Sequence, residues 1–206
     1  MIHRLKSRYV LLVVLLVLFF LIILSLDALK NTDEELYFKR FVNLKNKICF
    51  FCNEFKILPR LYVATIYAEL HNNYNIIDRF DEFRAKIGMD PSVGFAQMRV
   101  STAIWIEDYY SDNKIIFKSN SYEELVNKII DDSTNIVYST FYIKLIHDRL
   151  LKKFHKKPSV KTIASYYGRG IDYYRGDEID SLYYNQIGIT AEEFFYSDML
   201  IEQFPR

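Results

Sequence analysis

The stretch Leu58–Asn75, LPRLYVATIYAELHNNYN, sets a single carboxylate in the middle of an apolar helix. Pro59 suits the first helical turn, because its φ is already fixed and its missing N–H would have had no partner there. Leu61, Val63, Ala64, Ile66, Ala68 and Leu70 give Glu69 apolar neighbours, and only His71 joins it as an acidic or basic residue between Arg60 and Asp78. A carboxylate so placed must find a partner or keep its proton, since burial disfavours the charged form. A protonated carboxyl on the wall of a cleft is what a general acid requires. Glu69 is therefore the candidate catalytic residue, and the rest of the chain must supply the cleft.

Two further stretches offer cleft walls. In DPSVGFAQMRVSTA, Asp90–Ala103, Gly94 permits a turn or a close approach that a side chain would forbid, and Gln97 can both donate and accept hydrogen bonds. Ser101 is predicted to cap the helix that follows, TAIWIEDYY. In IASYYGRG, Ile163–Gly170, Tyr166 and Tyr167 end a helix just before glycines. A phenol hydroxyl there could reach a carboxyl on another helix, and an ordinary helix end with aromatics at the core edge fits the same residues.

Helical periodicity dominates elsewhere. A long helix is predicted over residues 31–58, opened by a capping box at Thr32 and Glu35. Ser121 with Glu124 forms a second box, Thr134–Phe154 reads as a long and largely buried helix, and Pro158 precedes a helix that ends at Gly168. Thr190 with Glu193 predicts one terminal helix, AEEFFYSDMLIEQF. Residues 76–100 are loop-rich, with room for a short hairpin. The expected class is mainly α, of an α+β kind with one small hairpin.

The N-terminal run Tyr9–Leu26 carries no charge and one serine. As a helix it would be about 27 Å long, enough to cross the hydrocarbon layer. Arg4, Lys6 and Arg8 precede it, whereas Asp27, Asp33, Glu34 and Glu35 follow. That asymmetry predicts a cytoplasmic N-terminus with the rest of the chain outside. IILSLDALK offers no small-x-small cleavage site, which favours a retained signal anchor over a cleaved signal peptide. The expected organisation is a cytoplasmic tail (1–8), a single-pass anchor in the cytoplasmic membrane (9–26), a juxtamembrane helix (27–56) and an extracytoplasmic domain (57–206).

The 206 residues carry a net charge of +1, with charged side chains at 26 %. Without a basic surface, nucleic acid is not expected as a partner. The 17 Tyr and 16 Phe fill a core and leave some tyrosines available for a sugar groove, where an apolar face and a hydroxyl serve together. Cys49 and Cys52 are too few for a structural zinc site, no metal or other cofactor is called for, and the two thiols either bridge locally or pack as apolar residues. The basic run KKFHKK, Lys152–Lys157, suits a helix C-terminus, and its charge also suits anionic wall polymers or lipid head groups.

Taken in order, these stretches resemble the lytic transglycosylase and goose-type lysozyme superfamily. LPRLYVATIYAELHNNYN resembles the family's helix with the catalytic glutamate. SVGFAQMRVSTA is similar to its G-L-M-Q-[ILV]-x-x-x-T-A signature through Gly94, Gln97, Met98, Thr102 and Ala103. NIVYSTFYIKLI resembles N-I-x-x-G-x-x-Y-L through Asn135, Ile136, Tyr142 and Ile143, and ASYYGRG resembles A-Y-N-x-G with Tyr166 on the family tyrosine. The chain departs from the pattern at Leu70, where serine is usual, at Ala96, and at Tyr167, where asparagine is usual.

The resemblance implies a lysozyme-like fold and cleavage of the β-1,4 bond between N-acetylmuramic acid and N-acetylglucosamine in peptidoglycan strands. Glu69 would be acid and then base, with Gln97, Met98, Tyr166 and Tyr167 along the glycan site. A hydrolytic muramidase would want a second carboxylate, for which the loop offers Asp78, Asp81 and Asp90. A non-catalytic glycan-binding or assembly module of the same fold is the rival from another class, motivated by Leu70 and Tyr167.

Overall fold

The helix that carries Glu69 begins at Pro59, where the sequence places it, and runs to Asn72. The computed structural model describes residues 36–72, 78–110, 116–170 and 184–205. In chain order these form α1 (Lys45–Glu54), α2 (Pro59–Asn72), α3 (Asp78–Lys86), strands β1 (Ser92–Val93) and β2 (Met98–Arg99), then α4 (Val100–Tyr110) and α5 (Tyr122–Ile130). The long α6 (Asp132–Phe154) follows, then α7 (Val160–Tyr167), α8 (Gln186–Phe195) and α9 (Asp198–Gln203). The described chain is thus mainly helical with one antiparallel hairpin, in which Ser92 pairs with Arg99 and Val93 with Met98.

The predicted anchor over 9–26 and the Thr32–Glu35 capping box lie outside the described residues. No described helix is long and apolar enough to cross a membrane. The chain divides into two units, Met1–Phe41 and Val42–Arg206, and the second carries every element from α1 to α9. The helix predicted over 31–58 is not continuous: a turn at Leu44 separates helical residues 36–43 from α1. Within the second unit α1 packs against α6 and α2, so it belongs to the globular part and the body of that unit starts ahead of residue 57.

Every residue of α6 from Asn135 to Ile143 is buried. A helix enclosed on all sides is a central helix, and α1, α4, α5 and α7 pack around it. Two of its buried hydroxyls are satisfied within the helix, Ser139 donating to the Asn135 carbonyl and Thr140 to that of Ile136. On the other side α8 lies against both α2 and α7. Ala68, Ala164 and Ala191, one from each helix, are fully buried together. At Gly188 a Cβ would run into the Ser165 hydroxyl and the Lys161 carbonyl, so this glycine lets α8 close on α7. Small residues at these points bring Glu69, next to Ala68, up to the C-terminal end of α7.

Helix ends follow side-chain chemistry. Ser121, Asp131 and Ser159 accept from the N–H groups of Glu124, Thr134 and Thr162, each cap stabilising its helix by about 1 kcal/mol. Two expected caps are corrected. Thr190 and Glu193 lie inside α8, which Asn185 caps through the Gly188 N–H at 3.0 Å. The terminal helix stops at Tyr196 and restarts as α9, capped by Ser197. Ser101 caps nothing: α4 already begins at Val100, and the Ser101 N–H donates to Asp90 at 2.7 Å.

Candidate active site

Glu69 is only 5 % exposed, and what exposure it has opens on a cleft. Gln97, Met98 and Arg99 form one wall, from the hairpin. Tyr142 of α6 and Tyr167 and Gly168 at the end of α7 contribute the other. Gly168 has an ordinary helical backbone, with φ −66°, so conformational freedom is not its role. A Cβ there would stand 2.8 Å from Glu69 Oε2 and would also strike Ile187. Glycine at 168 therefore makes the space that the carboxyl occupies.

The hairpin loop is fixed from beneath by Asn135, which is fully buried. Its side-chain oxygen accepts from the Ala96 N–H at 2.7 Å, and its amide donates to the carbonyls of Val93 and Ile129. Gly94 sits directly over it at φ 74°, where a Cβ would meet both the Asn135 side chain and the Ile129 carbonyl. Left-handed backbone and close approach together require glycine. Gln97 is held at φ 50°, a conformation uncommon for a side-chain-bearing residue and costing on the order of 1–3 kcal/mol. The Gln97 N–H and its side-chain amide both donate to the Gly94 carbonyl, at 3.1 Å and 3.3 Å.

Tyr167 joins the two walls. Its hydroxyl donates to the Ala96 carbonyl at 2.7 Å, and its ring tilts against that of Tyr142 with centroids 5.5 Å apart. Burial pushes the Tyr167 phenol well above its ordinary range, and Tyr62 and Glu69 push it the same way. It therefore stays protonated, a donor at all ordinary pH values.

Of the residues expected at the site, Glu69, Gln97, Met98 and Tyr167 meet in the cleft. Tyr166 is also buried, but it is its neighbour Tyr167 that lines the cleft with Glu69. Ser92, Arg99, Thr102, Tyr142 and Gly170 line it too and were not expected as site residues. Thr102 and Tyr142 carried a signal, since both match signature positions; Arg99 had only its place beside Met98 in a two-residue strand.

The three loop aspartates fare differently. Asp81 bonds Arg84 at 3.1 Å, Asp90 holds the start of α4, and the side chain of Asp78 lies outside the described residues. Among the described residues Glu69 is the only carboxylate that lines the cleft. No group of His, Cys, Asp and Glu among them could hold a metal ion. Cys49 and Cys52 are free thiols. Cys52 is buried, and that burial pushes its thiol up, as in an inert core cysteine. His71 stacks on Tyr67, which in turn stacks on Phe194 with centroids 3.7 Å apart.

No family model matches the chain, and neither the curated proteins nor the solved structures give a match.

Proposed function

We propose that the chain is a membrane-anchored enzyme that cleaves the N-acetylmuramic acid to N-acetylglucosamine bond of peptidoglycan as a lytic transglycosylase. The observation that carries this reading is the enclosure of Glu69. A nearly buried carboxyl, in space reserved by Gly168, faces a loop that Asn135 and Tyr167 hold in a strained conformation. Burial favours the protonated form of a carboxyl, which is the form a general acid needs.

In the first step Glu69 gives its proton to the glycosidic oxygen. The bond from that oxygen to the muramic acid anomeric carbon breaks, and the N-acetylglucosamine leaves with a free hydroxyl. The muramic acid 6-hydroxyl then attacks the anomeric carbon and returns its proton to Glu69. A 1,6-anhydro ring forms, no water is consumed, and the acid is regenerated. Gln97 and Met98 present an amide and an apolar edge to the sugar rings. Tyr166 keeps the place that the resemblance gives it, the family's orienting tyrosine, while Tyr167 fixes the hairpin loop through the Ala96 carbonyl. The run 9–26 would hold the domain beside the membrane, with the cleft on the extracytoplasmic side.

Products decide the reaction type. Full-length protein in non-ionic detergent, incubated with purified peptidoglycan, is expected to release muropeptides with 1,6-anhydro ends, identified by mass spectrometry. Reducing ends would mean hydrolysis. Failure to release anything from walls of several chemistries would favour the glycan-binding module.

A further inference from the structure

A second concavity, larger than the cleft, lies between the α1–α2 connection, the C-terminal half of α6, the start of α7 and the end of α8. Its volume is about 500 Å3, inside the range of ligand pockets. Ile57, Leu61, Val160, Ile163 and Phe195 give it an apolar floor. Leu58 and Leu151, 45 % and 40 % exposed, carry that surface out to the lip.

Apart from Tyr196, the polar side chains of this groove fall into two groups. Ser159 is committed to Thr162, His147 to Asp148 at 3.1 Å, and Glu192 to Lys161 at 3.9 Å. The ammonium groups of Lys56 and Lys157 have no hydrogen bond or ion pair among the described residues, and both side chains are exposed. Lys56 is also held at φ 56°. That left-handed residue closes the C-terminus of α1, with the Ile57 N–H on the Cys52 carbonyl and the Lys56 N–H on that of Asn53, and so fixes where the Lys56 side chain leaves the backbone.

The apolar floor favours an occupant that sets no unpaired hydrogen-bonding group against it. A peptide would bury N–H and C=O groups against Leu61 and Ile163, at a cost for each one left unpaired. An alkyl chain brings none. At the lip, two ammonium groups match an anionic head, and the neighbouring Lys152, Lys153 and Lys156 add to the same field. We propose that this groove holds an acyl chain of an anionic membrane phospholipid, with its head-group phosphate on Lys56 and Lys157. Nothing in the site depends on Glu69.

The test uses the full chain in phosphatidylcholine nanodiscs doped with phosphatidylglycerol that bears a diazirine on its acyl chain. After irradiation, cross-linked peptides are mapped by mass spectrometry. Labelling is expected over residues 56–61 and 157–163, and more strongly than with phosphatidylcholine bearing the same diazirine. It should fall about tenfold in the Lys56→Glu, Lys157→Glu double variant, the loss expected for a charge-assisted contact. Ile163→Trp, which fills the floor, should abolish it; because that variant can misfold, the surface lysine variant carries the test. Equal labelling by the two lipids, unchanged labelling in the lysine variant, or no labelling of these peptides would each overturn the proposal. So would labelling by free diazirine dodecanoate in place of the phospholipid.

Discussion

Glu69 and Glu107 are both buried glutamates on helices, 5 % and 4 % exposed, yet their surroundings differ in kind. Glu107 of α4 is closed in by its partners. It accepts from the Ser119 N–H and hydroxyl, both at 2.7 Å, and from the Tyr138 hydroxyl of α6, with the Lys128 ammonium of α5 at 3.7 Å. Glu69 instead opens on a cleft, with the carbon-free side of Gly168 beside its Oε2. Burial alone thus does not mark a catalytic carboxyl. What distinguishes the two is that Glu69 lines a cleft, whereas Glu107 is enclosed by its partners.

The comparison would break first at Glu107. Its replacement by alanine strands a buried phenol and a backbone N–H, and removes the counter-charge of Lys128. Urea denaturation should show a loss of about 3 kcal/mol, while cleavage per folded molecule stays near the wild-type value. A large loss of turnover with unchanged stability would reverse the roles of the two glutamates.

Tyr167→Phe and Tyr166→Phe sharpen it next. Loss of the hydroxyl that holds the Ala96 carbonyl should cost about 1 kcal/mol of stability and lower turnover about tenfold, because a loop released by that much misplaces Gln97. Tyr166→Phe, which removes the phenol that the resemblance sets beside the acid, should lower turnover by a similar factor while leaving the hairpin loop in place. Unchanged turnover in Tyr166→Phe would take the orienting role away from this residue.

The smallest effect is at Asp131, the cap of α6. The Thr134 N–H, followed by the Thr134 hydroxyl, holds this carboxyl below its usual range against the opposing effect of partial burial. A depressed folded value means that the stabilisation is complete above the unfolded value of about 4 and disappears as pH falls through the folded one. Asp131→Ala should therefore cost about 1 kcal/mol at neutral pH. The difference from wild type should close in acid, as thermal melts at several pH values would record.

Much of this was readable from the chain because the physics is local. Pro59 and Gly168 punctuate helices, and an isolated glutamate among aliphatic residues announces its own cost. The hairpin also fell where Gly94 and its loop suggested it. The chain was least legible where a distant contact decides between local alternatives. Thr190 with Glu193 satisfies a capping pattern, but Asn185 wins because Gly188 must sit against Ser165 and Lys161. Adjacent tyrosines on a helix point about 100° apart, and it is the packing of α7 against the hairpin that sets the Tyr167 hydroxyl on the Ala96 carbonyl. In WIEDYY, Glu107 and Asp108 look equivalent, and Ser119, across a loop, determines which one is enclosed. Arg99 gave no local sign of its position facing Glu69's cleft.

The most direct measurement is the turnover of Glu69→Gln on purified peptidoglycan, with circular dichroism and a thermal melt on the same sample. The account predicts a fall of roughly 10²–10⁴-fold, the usual contribution of a general acid, in a protein that melts within a few degrees of wild type. Turnover that survives the substitution, in a protein that remains folded, would contradict the assignment of Glu69 as the acid.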